Sequence, residues 1–113
     1  STSLAENVLT QWKEFDLEGK RNELDSQAST ITEVREESLA SRKKLASATR
    51  EFKKIPANEK LKSVGPLLKT YQQEIDQLTQ RCKGAESAFL TLYASLQPLS
   101  DPCIGLNEAI EAS

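Results

Sequence analysis

The side chains that most often carry out catalysis or bind metals are scarce in this 113-residue chain. It contains no histidine, which is the commonest general base and a common metal ligand. Its two cysteines, Cys82 and Cys103, have no second cysteine or histidine near them, so their spacing predicts neither a zinc site nor a redox pair. We therefore expect reduced thiols, with Cys82 as an apolar core residue and Cys103 more exposed.

The other routes to catalysis also lack the groups they need. Adjacent carboxylates such as Glu36 and Glu37 point to different parts of a helix surface, and no histidine is present to activate a serine. The glycines occur singly, without a loop that could hold phosphate groups. The sequence thus predicts a non-enzymatic protein with no catalytic residue, no cofactor and no metal site.

Positive charge is the most informative chemical feature of the sequence, because it is concentrated in one segment. Residues 42–69 contain nine basic and two acidic residues, a net charge of +7, whereas residues 1–41 sum to −5 and residues 70–113 to −4. We expect this segment to bind acidic lipid headgroups or an acidic partner, with about 1 kcal/mol from each basic residue near an anionic bilayer. The candidate binding residues are Arg42, Lys43, Lys44, Arg50, Lys53, Lys54, Lys60, Lys62 and Lys69.

The same concentration of charge also fits two different roles. Lysine and arginine are good helix formers and suit the C-terminal end of a helix, so they are compatible with a purely structural helix face. A basic segment followed by leucine heptads is also the order found in basic-zipper proteins. Pro56 breaks the continuous helix that those proteins need, so we do not expect nucleic acid binding beyond weak, salt-sensitive phosphate contacts.

The positions of glycine and proline define the helices that carry these residues. Four of each occur, and residues 20–55 contain none. Apolar residues repeat every seven positions in this part of the chain, which predicts a helix over residues 17–55, although polar residues interrupt the companion positions. Pro56 ends this helix because proline lacks an N–H and disfavours helix for the residue before it, and we expect Asn58 to cap the next one.

The second long segment has the more regular repeat. Apolar residues follow a 3,4,3,4 spacing, which predicts a helix over residues 58–97 with one narrow apolar stripe, kinked rather than stopped at Pro66. The short connection at Pro56 makes the two helices antiparallel neighbours. The seam residues that we expect to pack in the hairpin or in a dimer are Leu61, Val64, Leu68, Tyr71, Ile75, Leu78, Phe89, Leu92 and Leu96.

Shorter elements precede and follow this hairpin. Apolar residues at helical spacing predict a short leading helix over residues 3–14. Trp12 and Phe15 are either core residues at the open end of the hairpin or an exposed docking motif. Residues 98–113 form a tail, with one or two marginal helical turns over residues 106–112.

Together these elements predict an all-α fold, an antiparallel long-helix hairpin of coiled-coil type with a short N-terminal helix. The chain is then a single helical module and a fragment of a longer coiled-coil protein. Two helices leave Leu67, Leu90 and Tyr93 beside the seam uncovered, so we expect a homodimer in which two hairpins form a four-helix bundle. A parallel two-stranded coiled coil is the structural alternative, but it would have to keep Pro56 and Pro66 within one rod.

Several stretches of the sequence together resemble one known family. They are Gln-Trp-Lys-Glu-Phe-Asp-Leu (11–17), Ser-Arg-Lys-Lys-Leu (41–45), Arg-Glu-Phe-Lys-Lys (50–54) and the run from Pro66 to Arg81. In order and spacing they are similar to the N-terminal region of the CASP family of Golgi coiled-coil proteins, the golgins, an alternative product of the cut-like homeobox locus. The resemblance is weakest in the first few residues, over residues 26–34 and after Cys103, and fungal members look nearer than animal ones.

This resemblance implies a function that the residues alone do not. It implies a cytosol-facing arm of a rod that a C-terminal segment, absent from this chain, anchors in the Golgi membrane. The arm would support intra-Golgi retrograde vesicle transport through tethering or fusion machinery and other golgins. The alternatives are a regulatory N-terminal coiled coil of a cut-like homeodomain transcription factor, or a purely structural dimerisation coiled coil.

Overall fold

Four α-helices make up most of the structure, a computed structural model that describes residues 3–113. No strand occurs among these residues. The prediction of an all-α fold with two long helices is confirmed, and the long helices lie within one residue of their predicted bounds. The helices are α1 (Leu4–Phe15), α2 (Leu17–Lys54), α3 (Ala57–Leu96) and α4 (Pro102–Ala112).

The chain forms two compact units, and both long helices contribute to each. Unit 1 contains α1, α4, the part of α2 up to Ala28 and the part of α3 from Ser87 onward. Unit 2 is Ser29–Glu86, which comprises the rest of α2, the turn and the rest of α3.

In unit 2 the helices α2 and α3 pack side by side in opposite directions. The Ser41 hydroxyl donates to Glu74 Oε2 at 2.5 Å, and the hydroxyls of Thr49 and Tyr71 are 2.7 Å apart. Moving towards the C-terminus of α2 therefore means moving towards the N-terminus of α3. Leu45, which lies between these two contacts along α2, is buried. The predicted antiparallel pairing is confirmed.

The turn between the two helices consists of Ile55 and Pro56. The Pro56 carbonyl accepts the N–H of Glu59 at 2.9 Å, so helical hydrogen bonding begins at the proline and α3 starts at Ala57. The prediction that Asn58 caps α3 is wrong, because Asn58 already lies inside its first turn.

Helix α3 continues through Pro66. This agrees with the prediction from the sequence that Pro66 would not stop the helix. Proline has no N–H to donate to the preceding turn. The Pro66 carbonyl still has partners downstream, because the Thr70 hydroxyl donates to it at 3.1 Å.

The face that α3 turns towards α2 includes only part of the predicted seam, since Val64 is half-buried and Tyr71 contacts Thr49. Four residues at seven-residue spacing, Lys60, Leu67, Glu74 and Arg81, are buried or half-buried. The track one position further along is open to solvent: the exposed fractions are 85% for Leu61, 61% for Leu68 and 54% for Ile75. Helix α3 thus places a largely polar track against α2 and leaves an aliphatic track uncovered.

A polar layer explains why α3 takes this orientation. Ser38 and Ser41 of α2 are buried or half-buried, and each makes a hydrogen bond across the hairpin. Arg81 Nη1 donates to the Ser38 hydroxyl at 3.3 Å, and Ser41 donates to Glu74. Glu74 is only 7% exposed, and its Oε1 has no hydrogen-bond partner among the described residues.

Replacing this carboxylate with an apolar side chain is expected to stabilise the hairpin. A buried acceptor without a partner costs about 1–3 kcal/mol, so Glu74→Leu should raise the free energy of unfolding by about 1–2 kcal/mol. Urea unfolding followed by circular dichroism measures the change. The matched control is Glu37→Leu on the exposed face of α2, for which we expect a change below about 0.5 kcal/mol. A less stable Glu74→Leu variant would contradict this prediction.

In unit 1, α1 packs closely against α4. Val8 is buried, and a Cβ built on Gly105 would lie 3.1 Å from the Val8 Cβ. The absence of a side chain at Gly105 is what permits this approach. Phe15 is also buried, and its ring meets the Trp12 ring edge-on with the ring centroids 5.5 Å apart.

Two residues of α1 hold the segment between α3 and α4 through hydrogen bonds to the backbone of Ser100. Trp12 Nε1 donates to the Ser100 carbonyl at 3.0 Å, and the Ser100 N–H donates to Gln11 Oε1 at 2.9 Å. Both polar groups of the Ser100 backbone are therefore satisfied by α1.

The tail is more ordered than the sequence predicted. Instead of marginal turns over residues 106–112, it forms the eleven-residue helix α4. The Asp101 carboxylate accepts the N–H of Cys103 at 2.9 Å, and Pro102 occupies the first helical position. An N-terminal cap and a proline at this position favour a helix start, and packing on Val8 adds the tertiary contact that a short helix needs.

Candidate functional site

The nine predicted binding residues all lie in unit 2, and we call residues 42–69 the basic end. Six belong to the last turns of α2 and three to the first turns of α3, so they lie on both sides of the turn at Ile55 and Pro56. All of them are exposed except Lys60, which is half-buried. The hairpin therefore brings together charges that are separated in sequence.

Carboxylates do not neutralise these cations. Lys54 Nζ lies 3.4 Å from Glu51 Oε1, with both side chains more than 70% exposed. An ion pair this open to water contributes little to stability. The other eight cations of the basic end form no ion pair within residues 3–113. Their charge is therefore available to an anionic partner.

Two of the nine have other contacts within the hairpin. The Lys60 ammonium lies 5.6 Å from the centre of the Phe52 ring, a cation–π geometry. Arg50 Nη2 donates to the Ser47 hydroxyl at 3.1 Å. These contacts orient their side chains without removing the positive charge.

The aromatic candidates belong to unit 1. Phe15 is buried and Trp12 is half-buried, with its indole N–H bound to the Ser100 carbonyl. Lys20 Nζ lies 5.9 Å from the centre of the Phe15 ring. The structure thus places both rings in the packing between α1 and its neighbours.

Most of the predicted seam residues of α3 are not covered by this chain. Val64 and Leu92 are half-buried. The others are at least 38% exposed, namely Leu61, Leu68, Tyr71, Ile75, Leu78, Phe89 and Leu96.

The prediction that Cys82 is a core residue is wrong, because its position lies on the uncovered track of α3. Cys82 is exposed, and its Sγ–H donates to Glu86 Oε1 at 2.9 Å. This hydrogen bond and the negative charge of Glu86 raise the pKa of the Cys82 thiol. Cys103 is exposed as predicted, and Asp101 raises its pKa in the same way. Both thiols therefore carry less thiolate than an ordinary cysteine and react more slowly.

Removing the neighbouring carboxylate should make Cys82 more reactive. In Glu86→Ala the pKa of Cys82 falls towards its ordinary value, so more thiolate is present at pH 8 and alkylation by iodoacetamide becomes faster. Mass spectrometry of the alkylated chain gives the rate at each cysteine. Cys103 in the same variant is the internal control, and its rate should not change. Equal or slower alkylation of Cys82 would contradict the assignment.

The structure offers few other sites. Within residues 3–113, no three side chains of the kinds that bind metals are grouped so that they could hold an ion. Over the same range, no helix combines the length and the apolar character needed to cross a membrane.

A comparison of the sequence with protein-family models shows the family to which the chain belongs. A family model described as "CUX1-like, N-terminal tRNA-binding arm" matches residues 1–113. The chain belongs to this CUX1-like N-terminal family. Neither the description of this family nor the names of the relatives below designate an enzyme.

Curated relatives of the CUX1-like N-terminal family carry two names. Protein CASP of Arabidopsis thaliana is 46% identical over 95 residues, which is 84% of this chain and 14% of the relative. Protein CASP of Saccharomyces cerevisiae is 39% identical over 110 residues, which is 97% of this chain and 16% of the relative. Homeobox protein cut-like 1 of Mus musculus is 45% identical over 87 residues, which is 77% of this chain and 6% of the relative.

These matches confirm the resemblance to the N-terminal region of CASP. The yeast relative aligns over more of the chain than the human Protein CASP but at lower identity, 39% against 45%, so the closer likeness to fungal than to animal members stays a prediction. The chain spans about one-seventh of the length of the CASP relatives it matches. No solved structure matches the chain.

Proposed function

We propose that this chain is the non-catalytic N-terminal arm of a golgin-type tether and that the basic end is its docking surface. The observation that carries the proposal is the exposed, unneutralised charge of the basic end on an antiparallel pair of helices. Paired helices hold these cations on one scaffold, so an anionic surface can meet several of them at once.

The likeness to the CASP relatives supports a proposal for the cellular role. Golgi coiled-coil tethers act on the cytosolic face of the Golgi membrane, and we propose this location for the full-length protein, with its membrane anchor in the part of the protein outside this chain. The proposed role is intra-Golgi retrograde vesicle transport, through contacts with tethering or fusion machinery, other golgins or acidic membrane surfaces. The confirmed CASP resemblance supports this role.

Exchange of the basic residues in the full-length protein tests the role in cells. Cells that express only a version with Lys43, Lys44, Lys53 and Lys54 replaced by glutamine should return Golgi-resident enzymes to early cisternae more slowly than cells with the natural sequence. The altered protein should still reach the Golgi, because its anchor is unchanged. Normal enzyme recycling in these cells would contradict the proposed role.

Binding of tRNA is a second candidate, favoured by the description of the family model that matches the whole chain. The basic end could supply the phosphate contacts, which carry most of the affinity in sequence-independent binding. The sequence predicted no nucleic acid binding beyond weak, salt-sensitive phosphate contacts, and tRNA binding would go beyond that expectation. Helices that are paired in a hairpin can contact phosphates without entering a groove.

A gel-shift assay with tRNA tests the second candidate directly. If the basic end binds tRNA, a gel-shift assay should show affinity that falls steeply with salt, and competitor tRNA should release the chain from acidic vesicles. No shift at low salt would exclude this candidate and leave the first one standing.

The relative named cut-like 1 supports a regulatory role in a transcription factor as the alternative. It shares this segment at an identity similar to that of the CASP relatives, so the identity of the segment does not decide between the two proteins. The segment that follows in the full-length chain, a membrane anchor or a homeodomain, decides between them.

A further inference from the structure

Two leucines protrude from the basic end. Leu61 is 85% exposed and Leu68 is 61% exposed, whereas the other large apolar side chains of residues 42–69 are buried or half-buried. The two leucines are seven positions apart on α3, so they lie on the same side of the helix, about 10 Å from each other. Exposed leucines are common on protein surfaces, so the surroundings of these two decide whether they form a site.

Two hydrogen bonds mark the two flanks of the hairpin near this end. One joins the hydroxyls of Thr49 and Tyr71, and the other runs from the Ser41 hydroxyl to Glu74. Thr49 and Ser41 are about 80° apart around α2, with the buried Leu45 between them, and Tyr71 and Glu74 are about 60° apart around α3. The two hydrogen bonds therefore lie on opposite sides of the line along which the helices touch.

The two leucines share the flank of the Thr49–Tyr71 contact with exposed cations. On α3, Leu68 lies one turn before Tyr71, and Leu61 lies two turns before Leu68. On α2, one cation lies a turn after Thr49 and another lies two turns before it, and neither forms an ion pair within residues 3–113. Residues at these spacings share one side of a helix. We call the surface formed by these four exposed side chains the leucine flank: Arg42, Lys53, Leu61 and Leu68.

Both carboxylates of the basic end lie away from the leucine flank. Glu51 is two positions before Lys53 on α2, and Glu59 is two positions before Leu61 on α3. Two positions correspond to about 200° around a helix, so each carboxylate lies on the far side of its helix. The leucine flank thus combines positive charge and apolar side chains without negative charge, which is the pattern of helices that lie on acidic bilayers.

We propose that the leucine flank lies on an acidic lipid bilayer and that Leu61 and Leu68 insert between the lipid headgroups. This inference rests on the proposed function, because it specifies how the basic end docks. Arg42 and Lys53 bind the headgroup phosphates, and the leucines reach the boundary of the acyl chains. The hairpin then docks on its side, with both helices along the membrane surface.

The shape of the leucine flank favours a bilayer over a folded protein as the partner. Its two leucines stand apart, and Gly65, which lies between them on α3, has no side chain to fill the space. A protein interface needs closely packed, complementary surfaces, whereas a fluid headgroup layer closes around separate protruding side chains. The uncompensated positive charge on the same flank matches the negative charge of acidic lipids.

Replacing the leucines without changing the charge is the first test. In a chain with Leu61→Gln and Leu68→Gln, co-sedimentation with vesicles of phosphatidylserine and phosphatidylcholine should show affinity lowered by about tenfold for each leucine. Glutamine is a good helix former, so the hairpin should remain helical by circular dichroism. The matched control is Leu90→Gln, which alters a 60% exposed leucine of α3 outside the basic end and should leave the affinity unchanged.

The outcomes separate this inference from the proposed function. Unchanged affinity of the double variant would mean that the cations alone hold the bilayer and that the leucines serve a protein partner. That result overturns the inference and leaves the proposed function standing. If the natural chain does not bind acidic vesicles even at low salt, the proposed function fails and the inference fails with it.

A fluorescent probe tests the insertion and the side of the hairpin directly. In a chain with Cys82→Ser and Cys103→Ser, both at exposed positions, a new cysteine carries a nitrobenzoxadiazole group. With Leu61→Cys, acidic vesicles should shift the emission to the blue, and lipids brominated on their acyl chains should quench it. The control is Thr70→Cys, an exposed position nine residues later and therefore on the opposite side of α3. Its emission should change little. Quenching at neither position, or equal quenching at both, would overturn the proposal.

Discussion

Replacing Lys43, Lys44, Lys53 and Lys54 by glutamine is expected to weaken binding of the purified chain to acidic vesicles by about a thousandfold. Each cation near an anionic surface contributes about 1 kcal/mol, and about 1.4 kcal/mol corresponds to a factor of ten in affinity. All four side chains are exposed, and only Lys54 has a carboxylate within ion-pair distance. Co-sedimentation with vesicles of increasing acidic lipid content measures the affinity.

A second variant with the same change in net charge is the control. Lys13, Arg21, Arg35 and Lys83 are exposed residues outside the basic end, and their replacement by glutamine removes the same four charges. This control should keep most of the affinity, because the lost charges are not at the docking surface. An equal loss in both variants would mean that net charge, rather than the basic end, governs binding. Glutamine is a good helix former, so both variants should remain helical.

Phe15→Ala is expected to lower the free energy of unfolding of unit 1 by about 3 kcal/mol or more, the range found for buried phenylalanines. Phe15 is 8% exposed, and the loss of its ring leaves Trp12 without its edge-on partner. The protein contains one tryptophan, so Trp12 fluorescence during urea unfolding reports on this unit. The expected result is an unfolding midpoint at clearly lower urea concentration.

Phe89→Ala provides the comparison for the same chemical change. Phe89 also belongs to unit 1, but it is 65% exposed and stacks only on Tyr93, with ring centroids 6.4 Å apart. Its replacement should cost less than about 1 kcal/mol. If Phe15→Ala is no more destabilising than Phe89→Ala, the packing of α1 is not what stabilises unit 1, and the docking interpretation of Trp12 and Phe15 gains support.

The extent of the long helices could be predicted because local chemistry decides it. Pro56 disfavours helix at Ile55 and removes an N–H, so α2 and α3 end and begin beside it whatever else they contact. The antiparallel pairing follows from the two-residue turn.

The face of α3 that meets α2 could not be predicted from the heptad pattern. The pattern has two adjacent candidate flanks, and the apolar one includes Leu68 and Ile75. Hydrogen bonds from Ser41 to Glu74 and from Arg81 to Ser38 accompany the polar flank. These bonds join residues more than thirty positions apart, so only the folded pair of helices reveals them. The exposure of Cys82 has the same cause.

Only marginal turns were predicted where α4 forms, although part of the signal for this helix was present in the sequence. Asp101 followed by Pro102 is a typical helix start, with an acidic cap and proline at the first position. The other part, the contact of Gly105 with Val8, depends on the packing of α1 and could not be predicted from the tail itself.

The most direct test of the central claim, that the basic end is the docking surface, is a residue-by-residue map of the bound chain. Amide NMR spectra of the chain can be recorded with and without small bicelles that contain acidic lipid. The structure predicts that signal changes are concentrated in residues 42–69 of unit 2 and are absent with neutral lipid. Changes confined to α1, α4 or the Phe89 region, or no change with acidic lipid at low salt, would contradict the claim.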